Sequence, residues 1–582
     1  MGFFAALLPV EGAARHNGQP MGTESARERE HFFGAAKVVA GLTVASRVLG
    51  MLRDMAIASL GADRATSAFL VAFQVPNLFR RLFGEGALAG AFVPVFTQTL
   101  EESGASKAAR LLANTLWLLG VFLLGLMLLI QAGLIAWGLL WPGGWDRQLL
   151  IRLTVIMLPF MVTICLLALG SAAMNCGGRF AYPAAAPILL NVFIIAAAWW
   201  AAPALAADAA DRLYVLAGSV TLAGLVQLAI VLWLLRRLGF SIRPRLRPIE
   251  AGIRPILRLL LPMLVGLGFL QVSPFFDSVV IWILSATPQA PSIHLWGYEL
   301  AKPLTVGAQM HVYTAQRLYQ FPMGVLAISL GVAVFPLFSR YASRRDHGAL
   351  RDSVARALRL SMAEGLAAGT GLFVLAEPIT RLLFVRGKFT GADAAASAQV
   401  LRMYAVGMWA YCTYQIFARL FFALQRPRVP LISSAALVGV NMALVLALVW
   451  APWLGPQAFG LATALTSTAN VLILATLARP WIGGLGGSEL ARSIARSVLA
   501  SGAMAAVLEL LLWALAGRSS AVIVAAGVPA GAATFVAVLR LLGGTEPGEL
   551  LGSLRRRTPP VAEGGDVGPV AADSYNEPRQ ES

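Results

Sequence analysis

Two arginines and an aspartate lie inside a stretch that is otherwise typical of a membrane-spanning helix. In SRVLGMLRDMAIASLG, Arg53 and Asp54 are adjacent, and Arg47 precedes Asp54 by seven residues. That spacing puts Arg47 and Asp54 on one face of a helix. An arginine at the bilayer centre costs about 2.5–3.5 kcal/mol on insertion scales, so such a residue is expected to serve a site. Guanidinium groups bind phosphate with two prongs, which indicates recognition of an anionic, phosphate-bearing molecule.

Further intramembrane charges follow in the next apolar segments. NLFRRLFGEGALAG carries Arg80, Arg81 and Glu85 beside two glycines. Glycines loosen a helix and free backbone groups that must face protein or water. Arg317 opens a later predicted helix, the eighth, in YTAQRLYQFPMG. Each arginine alone could extend to the lipid headgroups; together they could converge on one water-filled cavity.

Enzyme signatures do not accompany these charges. The sequence has no phosphate-binding glycine-rich loop, no HExxH motif and no cluster of cysteine and histidine. The acids Glu364, Glu377 and Glu509 fall on different predicted helices, whereas an enzyme acting on a lipid carrier needs acids or a metal at one interface. The three cysteines lie in apolar runs and are expected to be buried, unpaired thiols. We therefore expect no catalytic residue and no cofactor, with a coupling cation or the membrane potential as the energy source that remains open.

The composition requires a polytopic membrane protein. Of 582 residues, 58% are hydrophobic and 13% are charged, which no soluble globular chain of this length matches. Apolar runs of about 20 residues predict about fourteen membrane-spanning helices, so the fold class is all-α. The net charge is +17, and the arginines gather in alternate connections, which predicts cytoplasmic N- and C-termini. Because the positive charge serves orientation in the membrane, no nucleic-acid partner is expected.

An internal sequence repeat predicts two parallel lobes of six helices and a terminal helix pair. VPVFTQ (93–98) and FPLFSR (335–340) share a Pro-aliphatic-Phe-hydroxyl pattern, and Arg179–Pro183 and Arg426–Pro430 recur at nearly the same offset. Parallel repeats that flank a midplane site are common among transporters. The predicted segments are a polar extension at 1–35, an N-lobe at 36–240, a C-lobe at 241–485, a terminal pair at 486–545 and a disordered cytoplasmic tail at 546–582. Met21 as the true start would explain most of the extension.

The arginine-bearing segments resemble a known family. The stretch that begins SRVLGMLRDMAIASLG and ends GAFVPVFTQ closely resembles the N-terminal signature of the MviN/MurJ family of lipid II flippases, in the MOP transporter superfamily. YTAQRLYQFPMGVLAISLGVAVFPLFSR and RGKFTGADA (386–394) are similar to its later motifs. The resemblance runs from about residue 36 to 545. It implies fourteen helices, alternating access, a pyrophosphate held by arginines in a central cavity, and a polyprenyl tail in a groove lined by the last two helices.

The resemblance also implies which residues bind the substrate. They are Arg47, Arg53, Asp54, Arg80, Glu85 and Arg317, with Arg81 at a neighbouring basic position. Three positions depart from the family pattern, because Ser67 and Gln316 replace a usual aspartate and Gln74 replaces a frequent lysine. The connection at 286–309 is longer than usual. Asp277 would be a cation ligand, as in some members, or the buried partner of an arginine.

The function implied by the resemblance is transport of lipid II, an undecaprenyl-pyrophosphate-linked sugar-peptide, from the cytoplasmic to the outer leaflet of the bacterial inner membrane for cell wall synthesis. Membrane lipids and the cell-wall synthesis machinery are the further partners. Two alternatives stay open. The departures at Ser67, Gln74 and Gln316 keep open a non-transporting scaffold of the same family. A small-molecule/cation antiporter of the superfamily would need carboxylates where this chain has arginines. The small residues of the terminal pair predict either a lipid groove or tight helix packing.

Overall fold

The computed structural model describes residues 21–546 and 548, except 142, 241, 244–247, 296 and 485–486. Within these ranges, the side chains of 21–37, 84–86, 265–267, 269–270 and 295 are not described. Most of the predicted polar extension and nearly all of the predicted tail therefore lie outside the described residues, as does the side chain of Glu85.

The N-terminal half consists of long helices joined by short turns. In chain order, its elements are α1 (Met21–Ala58), α2 (Arg64–Phe79), a π-helical segment (Arg80–Ala87), α3 (Leu88–Leu140), α4 (Trp145–Cys176), α5 (Ala181–Ala196), a second π-helical segment (Ala197–Ala201), α6 (Ala202–Leu205) and α7 (Ala209–Arg237). α1 begins well before the predicted start at residue 36. α3 is broken at Gly104, whose φ of 79° and ψ of 168° are not helical, so the chain turns there between two helical legs.

The C-terminal half is also helical, apart from one β-hairpin. Its elements are α8 (Ile253–Leu284), β1 (Ser292–Leu295), β2 (Tyr298–Ala301), α9 (Ala308–Val325), α10 (Ala327–Ser343), α11 (His347–Val374), α12 (Ala376–Phe384), α13 (Gly391–Val406), α14 (Met408–Ala423), α15 (Arg428–Leu448), α16 (Gln457–Ile482), α17 (Gly487–Ala514) and α18 (Ser520–Leu541). The strands are antiparallel, with Ser292 opposite Ala301 and Leu295 opposite Tyr298. The hairpin occupies the long connection that was noted at 286–309.

The helices confirm a polytopic, helical membrane protein. In the part of the chain that the structure describes, nine helices are long and apolar enough to cross a membrane, or ten if α11 and α12 form one span bent by 70°. The count of fourteen stays a prediction, because several helices are bent, broken or shorter than this criterion requires. The predicted lobe boundaries fall in connections, between α7 and α8 and between α16 and α17.

The connections gather at two opposite ends of the molecule. At one end, the turn after α1 meets the start of α13, and the Arg64 guanidinium binds Asp146 at the start of α4 at 2.8 Å. We call this the hairpin end, because Arg64 also donates to the carbonyl of Trp282, close to where α8 enters the β-hairpin. The opposite end carries the arginine-rich connections, and we call it the arginine-rich end. There, Arg110 pairs with Glu250 at 3.3 Å.

Candidate anion site between the two halves

The two halves meet around the carboxylate of Asp54, on α1. Arg53 donates to Asp54 Oδ1 from Nε at 3.0 Å and from Nη2 at 2.7 Å. The hydroxyl of Tyr313, on α9, donates to the same oxygen at 2.6 Å, and Arg317 Nε lies 3.5 Å from Oδ2. The Asp54 side chain is 5% exposed. A buried carboxylate is tolerated only when charges and donors surround it, as they do here. We call these four residues the Asp54 hub.

The spacing on α9 explains why that helix contributes two members of the hub. Tyr313 and Arg317 are four residues apart, so they share a face of the helix. The Arg317 guanidinium lies over the Tyr313 ring, 4.7 Å from its centroid. Arg317 Nη1 donates to Gln320, but its buried Nε has no hydrogen-bond partner. Arg317 therefore has donor capacity that an anion could use.

Asn191 fixes Arg53 from the side of α5. Its side-chain oxygen accepts from Arg53 Nη1 at 3.1 Å, and its amide nitrogen donates to the carbonyl of Ser46 at 3.2 Å. Asn191 is buried, so this amide has both of its groups satisfied inside the membrane body. The sequence analysis missed Asn191 and Tyr313, because neither carries a charge. The signal for Asn191 was a single amide inside an otherwise uncharged and apolar run.

The other predicted arginines lie around the hub rather than on it. Arg80 Nε donates to Asn77 at 3.2 Å, and Arg81 Nη1 donates to Gln271 on α8 at 3.2 Å. Arg81 and Arg317 both act electrostatically on Tyr319, so they approach the same space from opposite halves. The predicted part of Glu85 falls on a side chain outside the described residues.

Arg47 does not join Asp54, although the two share a helix face. Seven residues of helix separate them by about 10 Å along the axis. At that depth the Arg47 guanidinium packs against Gly324 of α9, where an added Cβ would lie 2.7 Å from Nη1. Arg47 and Asp54 therefore share a helix face without sharing a contact. Arg47 is exposed.

The hub has chemistry suited to an anion with more than one charge. Two guanidinium groups face one carboxylate, so the three groups carry a net positive charge. The Arg53 and Arg317 side chains are 16% and 24% exposed, so both retain access to a ligand. Planar guanidiniums bind phosphate oxygens in pairs, and a pyrophosphate can span two of them.

Two of the three positions that depart from the family pattern make their hydrogen bonds outside the hub, and the third, Gln74, is half-buried on α2. Ser67 is buried near the hairpin end, where its hydroxyl donates to the carbonyl of Asp63 at 2.8 Å and lies 3.3 Å from that of Val306. Gln316 donates to the Tyr404 hydroxyl at 3.1 Å, inside the C-terminal half. Both polar side chains keep hydrogen bonds in place of a charge. Neither loss removes a contact of Asp54.

Asp277 is buried on α8, and its Oδ1 has no hydrogen-bond partner. In the C-terminal half, Tyr319 and Tyr404 stack with their ring centroids 4.7 Å apart. Among the described residues, no group of three histidine, cysteine or acidic side chains could hold a metal ion. The role of Asp277 as a cation ligand therefore stays a prediction.

The hairpin end is closed by direct backbone contact between the halves. The Lys388 N–H donates to the carbonyl of Ser59 at 2.9 Å. Gly387 has a φ of +59°, and a Cβ there would collide with the Ser59 carbonyl oxygen. A Cβ at Gly307 would lie 3.1 Å from the carbonyl oxygen of Ala62, with the His311 ring nearer still. The Asp54 hub is thus shut off at the hairpin end.

An apolar cavity of about 480 Å³ lies beside α17. Its walls come from α11, α14, α16 and α17, with Leu490, Ile494 and Val498 on the α17 side. The glycines of α18 serve packing instead, because Gly527 and Gly531 lie against apolar side chains with no room for a Cβ at ordinary contact distance. The choice between a lipid groove and tight packing stays a prediction. α17 lines the cavity and α18 packs.

A family model described as "Lipid II flippase MurJ" matches residues 57–525 of this chain. The chain belongs to the MurJ family. This confirms the resemblance carried by the arginine-bearing segments. A Rhizobium meliloti protein named "Probable lipid II flippase MurJ" is 32% identical over 81% of this chain and 85% of its own length. A Burkholderia cenocepacia protein named "Lipid II flippase MurJ" is 30% identical over 76% of this chain and 83% of its own length.

Solved structures share the fold of this MurJ-family chain. One described as "Lipid II flippase MurJ, inward closed conformation" superposes with a TM-score of 0.69 at 19% identity, covering 88% of this chain and 99% of that one. An inward-facing multidrug resistance MATE family transporter of the MOP superfamily superposes with a TM-score of 0.60 at 15% identity, covering 77% and 98%. This chain therefore shares the helical fold of both structures.

Proposed function

We propose that this protein translocates lipid II from the cytoplasmic to the outer leaflet of the bacterial inner membrane, supplying peptidoglycan synthesis. Membership of a family described as lipid II flippases supports the substrate and the membrane. The observation that carries the proposal is the Asp54 hub. It places two arginines, one from each half, around a single carboxylate at a closed interface. A site that both halves share can be exposed to each side of the membrane in turn.

The pyrophosphate of lipid II is the group that the hub would bind. Arg53 and Arg317 would hold its oxygens, while Arg80 and Arg81 add positive charge from the N-terminal half. Asp54 keeps the two arginines ordered when no substrate is bound, because two unpaired guanidiniums would repel one another inside the membrane. No covalent step is needed, so the protein acts as a transporter and not as an enzyme.

We place the arginine-rich end in the cytoplasm and the hairpin end outside. The bias of arginine toward one set of connections supports this orientation. The conformation described here is then closed to the outside, and substrate would enter from the cytoplasmic leaflet. The polyprenyl tail would lie in the cavity beside α17, whose walls are apolar. The exposed hairpin offers cell-wall enzymes an external contact, and Asp277 is the candidate ligand of a coupling cation.

Rescue of a flippase-depleted bacterium tests the proposal. Replacing Arg53 or Arg317 with alanine should abolish rescue at normal protein levels, because one of the two arginines that bind the pyrophosphate is lost. Lysine should rescue poorly, since a point charge cannot bind two oxygens in one plane. Arg345, in the exposed turn after α10, is the matched control and should tolerate alanine. Full growth of both alanine variants would contradict the proposed function and favour the scaffold.

A further inference from the structure

One member of the Asp54 hub, Tyr313 on α9, is neutral. Attraction between charges therefore does not explain its role. We propose that Tyr313 is a positioning residue that keeps the two halves joined through Asp54 while substrate occupies the arginines. This rests on the proposed function. The ring is buried, and its hydroxyl makes the shortest bond in the hub, 2.6 Å to Asp54 Oδ1.

Only part of the hub crosses between the halves. The bonds from Arg53 to Asp54 stay within α1. The contacts from Arg317 and Tyr313 run from α9 to α1 and tie the C-terminal half to the N-terminal half. Of these two, the Arg317 contact is the longer, at 3.5 Å, and Arg317 Nε makes no hydrogen bond.

A bound pyrophosphate would affect the Arg317 contact and the Tyr313 contact differently. Its oxygens and the carboxylate oxygens of Asp54 accept from the same guanidinium donors, so substrate competes with Asp54 for Arg53 and Arg317. A tyrosine hydroxyl is neutral and gains little from a phosphate that two arginines already surround. Substrate therefore removes the Arg317 contact and leaves the Tyr313 hydroxyl as the donor that holds Asp54 to α9.

Two consequences distinguish this role from simple packing. With substrate bound, the hub would join the halves through one hydroxyl, and the Lys388–Ser59 contact would remain at the hairpin end, so the complex would stand closer to opening. The hydroxyl would also keep the Asp54 carboxylate satisfied after the arginines leave it, since an unpaired buried charge is costly. Loading would thus weaken the contact between the halves without breaking it.

Tyr313→Phe isolates the hydroxyl, because the ring under Arg317 stays in place. Spin labels at Asp211, on the first turn of α7, and at Trp453, between α15 and α16, report the separation of the halves at the hairpin end. Both positions are exposed. The labels are read by double electron–electron resonance in protein without the three native cysteines, whose rescue of growth is measured in parallel. We expect Tyr313→Phe to raise the population with the longer distance about tenfold in empty protein, the effect of losing one hydrogen bond to a charged group. Adding lipid II should increase that population further.

Tyr182→Phe is the matched control. The Tyr182 hydroxyl is also buried and donates at 2.6 Å, but its acceptor is the carbonyl of Gln227, so the bond joins α5 and α7 within one half. Its distance distribution should equal that of the parent. A double-mutant cycle gives a second test. In an Asp54→Ala background, the hydroxyl has no carboxylate to hold, and Tyr313→Phe should change nothing further.

The outcomes separate this inference from the proposed function. A parental distance distribution for Tyr313→Phe, or an equal change from Tyr182→Phe, would overturn the role of Tyr313 even if the parent protein rescues growth. Should the parent fail to rescue and lipid II leave its distances unchanged, the proposed function fails. The measurement in empty protein would still decide whether the hydroxyl joins the halves. If Tyr313→Phe does not reach the membrane, the same labels in Asp54→Ala protein must show the longer distance.

Discussion

Gly387→Ala should open the hairpin end, because this glycine seals it. Its φ of +59° allows the turn to approach Ser59, and a Cβ would collide with the Ser59 carbonyl oxygen. Alanine in a left-handed conformation costs about 1–2 kcal/mol, but that strain is common to the closed and open conformations. The collision belongs to the closed conformation alone.

The energy of this collision sets how far the ratio of open to closed molecules shifts. It displaces the Lys388–Ser59 hydrogen bond, whose net worth is about 0.5–1.5 kcal/mol, together with the contacts around it. A cost of about 1–2 kcal/mol to the closed conformation multiplies the open-to-closed ratio by roughly 5 to 30. The distance between labels at Asp211 and Trp453 measures that ratio directly. Transport should slow as well, since fewer molecules can accept substrate from the cytoplasmic side.

Gly178→Ala separates collision from strain. Gly178 has a φ of +71° and open space around its Cβ position, at the arginine-rich end. Its alanine variant carries the same backbone strain without a contact between the halves, so its label distances should match those of the parent. The reasoning is refuted if Gly387→Ala keeps the parental distances, or if Gly178→Ala moves them equally.

Two further predictions concern the lipid path and the orientation. Gly502 and Ala506 are exposed and continue along α17 beyond the cavity wall. Tryptophan at either position should block the path of the tail and reduce photocrosslinking to a polyprenyl probe at unchanged expression. Undiminished crosslinking would count against the cavity as the tail site. Reporter fusions at Ser292 and Gly455 should be external and a fusion after Arg345 cytoplasmic, and an external signal at Arg345 would reverse the proposed topology.

Sequence patterns predicted the elements well wherever hydrophobicity alone decides them. Apolar runs of membrane length became helices. The pair Arg53–Asp54 stood out because a charge inside an apolar helix is costly without a partner. Arg317 stood out in the same way at the start of a later apolar segment, and the structure places it at the same carboxylate.

The rest depends on how helices distant in sequence pack at a given depth. Tyr313 and Asp54 are 259 positions apart, and no local pattern says that a tyrosine hydroxyl will reach that carboxylate. Arg47 shares a helix face with Asp54, as its spacing predicted. It lies at another depth, however, and packs against Gly324 instead. The glycines of α18 look suited to a lipid groove by composition, yet they pack against their own protein. Periodicity gives the face of a helix, while the neighbour on that face comes from the whole fold.

The π-helical segment at Arg80–Ala87 gives α2 a second possible register. A π-turn closes its hydrogen bonds five residues apart instead of four, so the segment stores one surplus residue. If the surplus moved along the helix, each residue that it passed would rotate by about 100° and shift by about 1.5 Å, while every backbone bond found a new partner. Arg80 and Arg81 are the first two residues that such a movement would turn. Such a movement would re-aim two positive charges without unfolding a helix.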